Sequence, residues 1–232
     1  MPSDQPTLEV LYEDNHLLAV NKPAMLATMG VDADRPSVLT AAKEYLRQKY
    51  QKPGNVYVGI VSRLDGPVTG VVLLAKTSKA AARLSEAFRT RDVTKVYLAA
   101  VEGAMEPAAG ELEHYLRKDE RHRKVHATHA GTPDAQLARL AYRQLAAAGD
   151  VALVEVEPET GRKHQIRVQL AKVGHPIVGD LKYGSRESFA PGIALHAHRL
   201  ELEHPVRHEP LRLVAPLPPS WRDHAQIRKL LT

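Results

Sequence analysis

Apolar residues recur along this chain in short runs separated by Gly, Pro, Asn and Asp, the pattern of strands joined by turns with a few helices between them. Leu8-Glu9-Val10-Leu11-Tyr12 and Leu17-Leu18-Ala19-Val20-Asn21-Lys22 read as an antiparallel hairpin turned at Glu13–His16 and closed by Pro23. Residues 1–7 read as a frayed tail. Residues 24–36 read as a loop whose Met25, Leu26 and Met29 are available to cover core or ligand, core being the favoured use. Ser37 is a suitable N-cap for a helix over Val38 to Tyr50, with Leu39, Ala42, Leu46 and Tyr50 as its stripe. Val71-Val72-Leu73-Leu74 predicts a buried strand. Ser78 then caps a second helix whose Ala81, Leu84 and Phe88 face the sheet, while Lys79, Arg83, Arg89 and Arg91 make its other side basic.

Val93 to Val101 alternates as a strand, with Val96, Leu98 and Ala100 on one face and Tyr97 on the other. Glu111 to Tyr115 predicts a short edge strand, and residues 127–133 a loop. The alanine-rich stretch 135–145 reads as a strand with helix as the alternative. Val151 to Val156 is a firmer strand behind a Gly149-Asp150 hairpin turn. A helix is predicted over Arg162 to Val173, with Ile166, Leu170 and Val173 inward and Lys163 and Arg167 one turn apart on one side. Gly174 ends it. Residues 194–202 and 209–215 supply the last strands before a short terminal helix. The sum is an α+β fold, mainly antiparallel, read as a single domain over residues 1–232.

Composition narrows the chemistry. The chain has no cysteine, which excludes disulfides, thiolate nucleophiles and cysteine-ligated metal sites. Its start has neither a basic n-region nor an apolar h-region, and no run is long enough to cross a bilayer, so a cytoplasmic protein without a membrane partner is expected. A monomer is the default. The net charge is +5 with twelve histidines uncounted. Arg117, Lys118, Arg121, Arg123 and Lys124 cluster with His122, His126 and His129, offset only by Asp119 and Glu120. That segment is either a solvated loop or a phosphate-backbone contact.

The stretch Val58 to Thr77, VGIVSRLDGPVTGVVLLAKT, sets Arg63 and Asp65 between two apolar runs. A carboxylate there is costly unless it is paired, hydrogen-bonded or exposed at a cleft. Asp65 is therefore either the brace of a Gly66-Pro67 turn or a catalytic group on a loop leaving a rigid sheet. There is no glycine-rich run ending in GK[ST] and no dinucleotide spacing. Ser62, His164 and Asp65 can be assembled into a hydrolase triad on paper, but no GxSxG elbow supports it. His196 and His198 share a strand face at a spacing that permits metal ligation; packing and hydrogen bonding are the expected use, and no metal or cofactor is predicted.

With Arg63-Leu64-Asp65 followed by Thr69-Gly70 in view, the chain resembles the RluA family of RNA pseudouridine synthases. The resemblance continues through DNHLLAVNKPAMLAT at 14–28, SRLDGPVTGVVLLAKT at 62–77, KVYLAAVEG at 95–103, TGRKHQIRVQLAKVGHPIVGDLKYG at 160–184 and ALHAHRLELEHP at 194–205. It implies the pseudouridine synthase catalytic fold, a mixed, largely antiparallel central sheet flanked by helices and loops, acting on structured RNA, either rRNA or tRNA. By the same resemblance Asp65 is the catalytic aspartate, Tyr97 stacks on the target base and assists proton removal, and Arg167 pairs with the aspartate. Arg63 fills the space left by the flipped base. RNA contacts are expected from Arg63, Arg117, Lys118, Arg121, Arg123, Lys124 and Lys163. The chain departs from the family pattern at Ser62, Gly66 and Val68, where histidine, arginine and threonine are common, and no S4-like domain is expected before the catalytic segment. The competing readings are a noncatalytic RNA-binding module on the same fold and a metal-dependent phosphoester hydrolase using the histidines.

Overall fold

A computed structural model describes residues 6–30 and 35–231. The expected tail at 1–7 and loop at 24–36 fall partly outside them, at residues 1–5 and 31–34. The chain divides into two compact units, one formed by residues up to 94 with 197–217, the other by 95–196 with 218–232.

In the first unit, β1 (Glu9–Glu13) and β2 (Leu17–Lys22) form the predicted hairpin. Its turn is held by Asp14, whose Oδ1 accepts the N–H groups of His16 and Leu17 at 2.8 and 2.7 Å. β2 pairs antiparallel with β4 (Thr69–Ala75), Val20 opposite Val72, and the short β3 (Gly59–Ile60) also lies on β4. All of β4 is buried because both its faces are covered. Val72 and Leu74 join Leu18, Val20 and the α1 residues Val38, Ala41, Ala42 and Leu46. Val71, Leu73 and Ala75 join the opposite cluster, with Ala80 and Leu84 of α2 and with Leu200, Leu202 and Leu213. That is why the strand reads as an unbroken apolar run rather than an alternating one.

Helix α1 (Val38–Lys49) starts at Ser37 in a capping box with Thr40, as the sequence suggests. Its inward stripe is rotated from the predicted one: Leu39 is half-buried and Tyr50 exposed. Tyr50 instead donates to Glu13 at 2.6 Å. Of the three loop residues expected to cover the core, only Leu26 is buried; Met25 and Met29 are exposed. Helix α2 (Ser78–Thr90) is capped by Thr77, not Ser78, the Thr77 Oγ1 accepting the Ala80 N–H. One residue of slip moves its buried face to Ala80 and Leu84. β10 (Leu195–Glu203), from residue 197 on, and β11 (Pro210–Val214) close this unit with Leu200 opposite Leu213.

The second unit is a sheet in the order β5-β9-β8-β6-β7, every pair antiparallel. It comprises β5 (Val93–Glu102), β6 (Ala109–Asp119), β7 (Lys124–Thr128), β8 (Gln136–Ala148) and β9 (Val151–Pro158). The alanine-rich β8 is a strand because it has partners on both sides, and Ala138, Leu140 and Tyr142 alternate inward. β6 extends the sequence reading: Glu111–His114 pair with β8 alone, as an edge would, but the strand continues to Asp119 and carries the basic segment into a hairpin with β7. α3 spans Gln165–Lys172 only and is buried from Gln165 to Leu170. It begins late because His164 adopts a left-handed φ of 54°, which interrupts helical propagation. A helical turn at Leu181–Tyr183 and the short helices α4 (Pro219–Asp223) and α5 (Ala225–Arg228) complete the unit.

Candidate active site

Asp65 stands in the turn between β3 and β4, half-buried, with its carbonyl accepting the Val68 N–H at 3.1 Å. The turn is fastened from below. Lys22 at the end of β2 is fully buried, and its Nζ donates to the carbonyls of Pro23, Leu26 and Gly66 at 2.9, 2.8 and 2.9 Å. Burial pushes the Lys22 amine down to about 7, while the negative charge of Asp65 pulls it the other way. The buried Thr28 grips the neighbouring residue, its Oγ1 accepting from the Leu64 N–H and donating to the Leu64 carbonyl at 3.1 and 3.0 Å. Gly70, at a φ of 113°, lets β4 approach β10: a Cβ there would lie 2.2 Å from the Ala197 carbonyl oxygen. The loop bearing Asp65 is thus set by a buried amine, a hydroxyl clamp and a glycine contact, a rigid mount for its carboxylate.

The departure at 68 has a local explanation and the one at 66 has none in the packing. Val68 is buried, so a methyl-bearing side chain fills space without the hydroxyl it would otherwise have to satisfy. A side chain at Gly66 would meet open space, so packing does not demand glycine there. Arg63 is exposed.

In the second unit Tyr97 lies on β5, half-buried and opposite Val156 of β9. Arg167 is at the buried heart of α3. Its Nε and one terminal nitrogen donate to the two carboxylate oxygens of Asp180 at 2.6 and 2.8 Å. Both partners are almost fully buried, and the guanidinium sits 5.0 Å from the centre of the Tyr183 ring. The Tyr183 hydroxyl accepts the Val125 N–H at 3.1 Å and lies 2.6 Å from His164 Nδ1. A planar cation held by two parallel hydrogen bonds and an aromatic face has little freedom to turn.

Lys163 corrects another expectation. It precedes α3 in the turn and is exposed, so it is not one helical turn from Arg167 on a shared face. The basic segment is a hairpin rather than a loop, with Arg117 opposite His126 and Lys118 opposite Val125. Arg121 and Arg123 occupy its exposed tip, braced by Asp119 accepting the His122 N–H at 3.0 Å. Adjacent strand side chains point to opposite faces, which separates Arg117 from Lys118. His198 Nδ1 lies 3.0 Å from the Ala215 carbonyl and the buried His196 ring meets Trp221 edge-on, as expected of histidines that pack and hydrogen-bond. Among the described residues no group of three or more His, Asp or Glu is placed to hold a metal, and no helix is long and apolar enough to cross a membrane.

Sequence reasoning missed Lys22, Thr28, Asp180 and Tyr183. Lys22 reads as the polar end of a strand and Asp180 as a turn residue after Gly179, and nothing in their spacing points to the partners they meet.

A family profile described as RNA pseudouridylate synthase matches residues 16–172. The dual-specificity RNA pseudouridine synthase RluA of Salmonella typhi is 35% identical over 212 residues, covering 88% of this chain and 91% of that protein. The tRNA pseudouridine synthase C of Vibrio cholerae is 34% identical over 93% of each chain. Among solved structures, human RNA pseudouridylate synthase domain containing 4 superposes with a TM-score of 0.78 at 27% identity, covering 96% of this chain and 92% of that one. Matches that run nearly end to end, in sequence and in backbone, turn the ordered motifs around Asp65, Tyr97 and Arg167 into a kinship: the chain belongs to the RluA family of RNA pseudouridine synthases, isomerases that convert uridine to pseudouridine in RNA.

Proposed function

We propose that this enzyme isomerises uridines in structured rRNA or tRNA, with Asp65 as the catalytic carboxylate and Tyr97 and Arg167 as its partners. The observation that carries the reading is the mounting of Asp65. Its turn is anchored on a buried lysine amine and a threonine clamp, an investment in position that an ordinary surface turn does not need. In this reading residues 1–232 work as one catalytic domain. The target base leaves its stack, at a cost of a few kcal/mol that is least in a loop, and Arg63 fills the vacancy. Asp65, kept ionised by the Arg167 guanidinium, bonds to the ribose carbon or to the pyrimidine ring as the glycosidic C–N bond breaks, and that new C–O bond breaks again once the turned uracil is joined through C5, freeing the carboxylate. The uracil turns, its C5 bonds to the ribose carbon, and the C5 proton leaves with help from the Tyr97 hydroxyl. Arg117, Lys118, Arg121, Arg123, Lys124 and Lys163 meet the phosphates.

A tRNA target is favoured by the name of one relative and a broader choice by the dual specificity of another. We take the working enzyme to act in the cytoplasm as a monomer. The test is tritium release from RNA labelled at uridine C5. Asp65→Asn is expected to abolish release while retaining RNA affinity, and normal turnover by that variant would overturn the assignment. Mapping pseudouridines in total RNA with and without the gene identifies the substrate.

A further inference from the structure

Beside the Arg167–Tyr183 contact, the second unit carries an open cavity of about 500 Å3 lined by Lys124, His126, Val168, Lys172, Leu181 and Lys182 among others. Three lysines contribute to its lining and no aspartate or glutamate does; Asp180, next to Leu181 in the chain, is taken up by Arg167, and Asp119 lies 3.8 Å from His126. A concave surface lined by one sign of charge concentrates the field and draws counter-charge. The walls are also tied together. Lys182 Nζ donates to the Arg123 carbonyl at 2.6 Å and the Tyr183 hydroxyl accepts the Val125 N–H, joining the turn at 181–183 to the β6–β7 hairpin. The Lys182 ammonium keeps further N–H donors for a ligand. Lys124 Nζ rests 5.8 Å from the Tyr183 ring centre, the same ring that carries the Arg167 guanidinium. Leu181, 70% exposed in the wall, offers an apolar edge suited to a sugar or base face and of no use to a bare inorganic anion.

From this we infer that the groove between β7, α3 and the 181–183 turn is a backbone-binding site for the substrate RNA, in which Lys172 and Lys182 contact phosphates of the strand flanking the uridine that is modified. The inference rests on the proposed function and adds to it two cations, Lys172 and Lys182, beyond the residues it already assigns to the RNA. Because Tyr183 is common to the groove and to the Arg167 contact, phosphate held here reaches the residue that fixes a proposed catalytic side chain.

The experiment is a titration of a fluorescein-labelled RNA hairpin with a uridine-containing loop, followed by anisotropy over a salt series from about 50 to 200 mM. Wild type is compared with the double variant Lys172→Gln, Lys182→Gln and with a control double variant, Arg222→Gln, Arg228→Gln, that removes equal charge from exposed positions on α4 and α5. Loss of two phosphate contacts lowers the slope of log K against log salt by about 1.4 to 1.8 and raises Kd several-fold, while the control keeps the wild-type slope. An unchanged slope in the groove variant, or an equal change in the control, overturns the inference. Lys172→Glu alone, exposed at the end of α3, gives the same readout if the double variant does not fold. The two ideas fail separately: turnover by Asp65→Asn sinks the catalytic reading, whereas an unaltered salt slope in a protein that still depends on Asp65 sinks only the groove.

Discussion

Replacing Asp180 by asparagine removes the charge that faces Arg167 and leaves the side chain almost the same size. In the native protein the carboxylate accepts two hydrogen bonds of 2.6 and 2.8 Å from a guanidinium that is 6% exposed, and is itself 1% exposed. Removing one member of a buried ion pair strands the other's charge in a poorly solvated site, which costs about 3 to 5 kcal/mol. In a chain of this size each kcal/mol lowers Tm by roughly 2 to 4 °C. Asp180→Asn should therefore melt about 6 to 20 °C below wild type, and kcat should fall with it because the guanidinium loses its orientation. Differential scanning calorimetry of Asp180→Asn, Arg167→Met and the double variant separates the pair from its surroundings. Once Arg167 is gone Asp180→Asn should cost little, giving a coupling of about 2 kcal/mol or more. A Tm within about 2 °C of wild type, or additive single effects, would refute the account of Arg167 as a cation fixed by Asp180.

Three further outcomes are expected. The Glu13 side chain is 8% exposed and accepts from Lys49, Lys76, Tyr50 and Tyr45; burial alone would raise its pKa, but these donors prevail and bring it from 4.5 to about 2. A depressed carboxylate stabilises the fold above its unfolded value and loses that contribution as pH falls toward the folded one, so about 3 kcal/mol should vanish between pH ~4.5 and ~2. Thermal melts of Glu13→Gln should lack that part of the acid slope; an identical profile in variant and wild type would refute it. Gly70→Ala combines a left-handed φ with a Cβ 2.2 Å from a backbone oxygen, and should cost at least about 3 kcal/mol in denaturant unfolding; a neutral result means the strands part more easily than their packing implies. Lys22→Met leaves the carbonyls of Pro23, Leu26 and Gly66 without their donor, and should lose about 2 to 4 kcal/mol together with tritium release, with unchanged stability and turnover as the contrary finding.

The local alphabet of the chain was legible residue by residue. The Leu17–Lys22 strand, the Ser37 cap, the Gly149-Asp150 hairpin and the Gly174 helix stop each follow from side-chain chemistry that acts within a few positions. Errors came where a neighbour distant in sequence decides. Thr77 and Ser78 are equivalent as caps on paper, and burial of Ala80 and Leu84 against β4 selects Thr77. The Glu111–Tyr115 segment has only β8 beside it up to His114, but the strand runs on to Asp119 because β7 joins it from Tyr115, a partner the sequence does not announce. Met25 and Leu26 are nearly interchangeable in hydropathy, and a φ of 63° at Met25 accompanies the exposure of one and the burial of the other.

By itself, then, the order of residues determined the kinds of element, the ordered motifs and the membership they signal, since these depend on short-range chemistry carried in the chain. Tertiary structure alone decided that a strand-end lysine lies under the Asp65 turn and that a turn aspartate holds Arg167. Those pairings join residues far apart in the chain whose burial makes each charge depend on the other. No periodicity encodes them, because a desolvated charge takes its partner from whatever the completed packing brings within hydrogen-bonding reach.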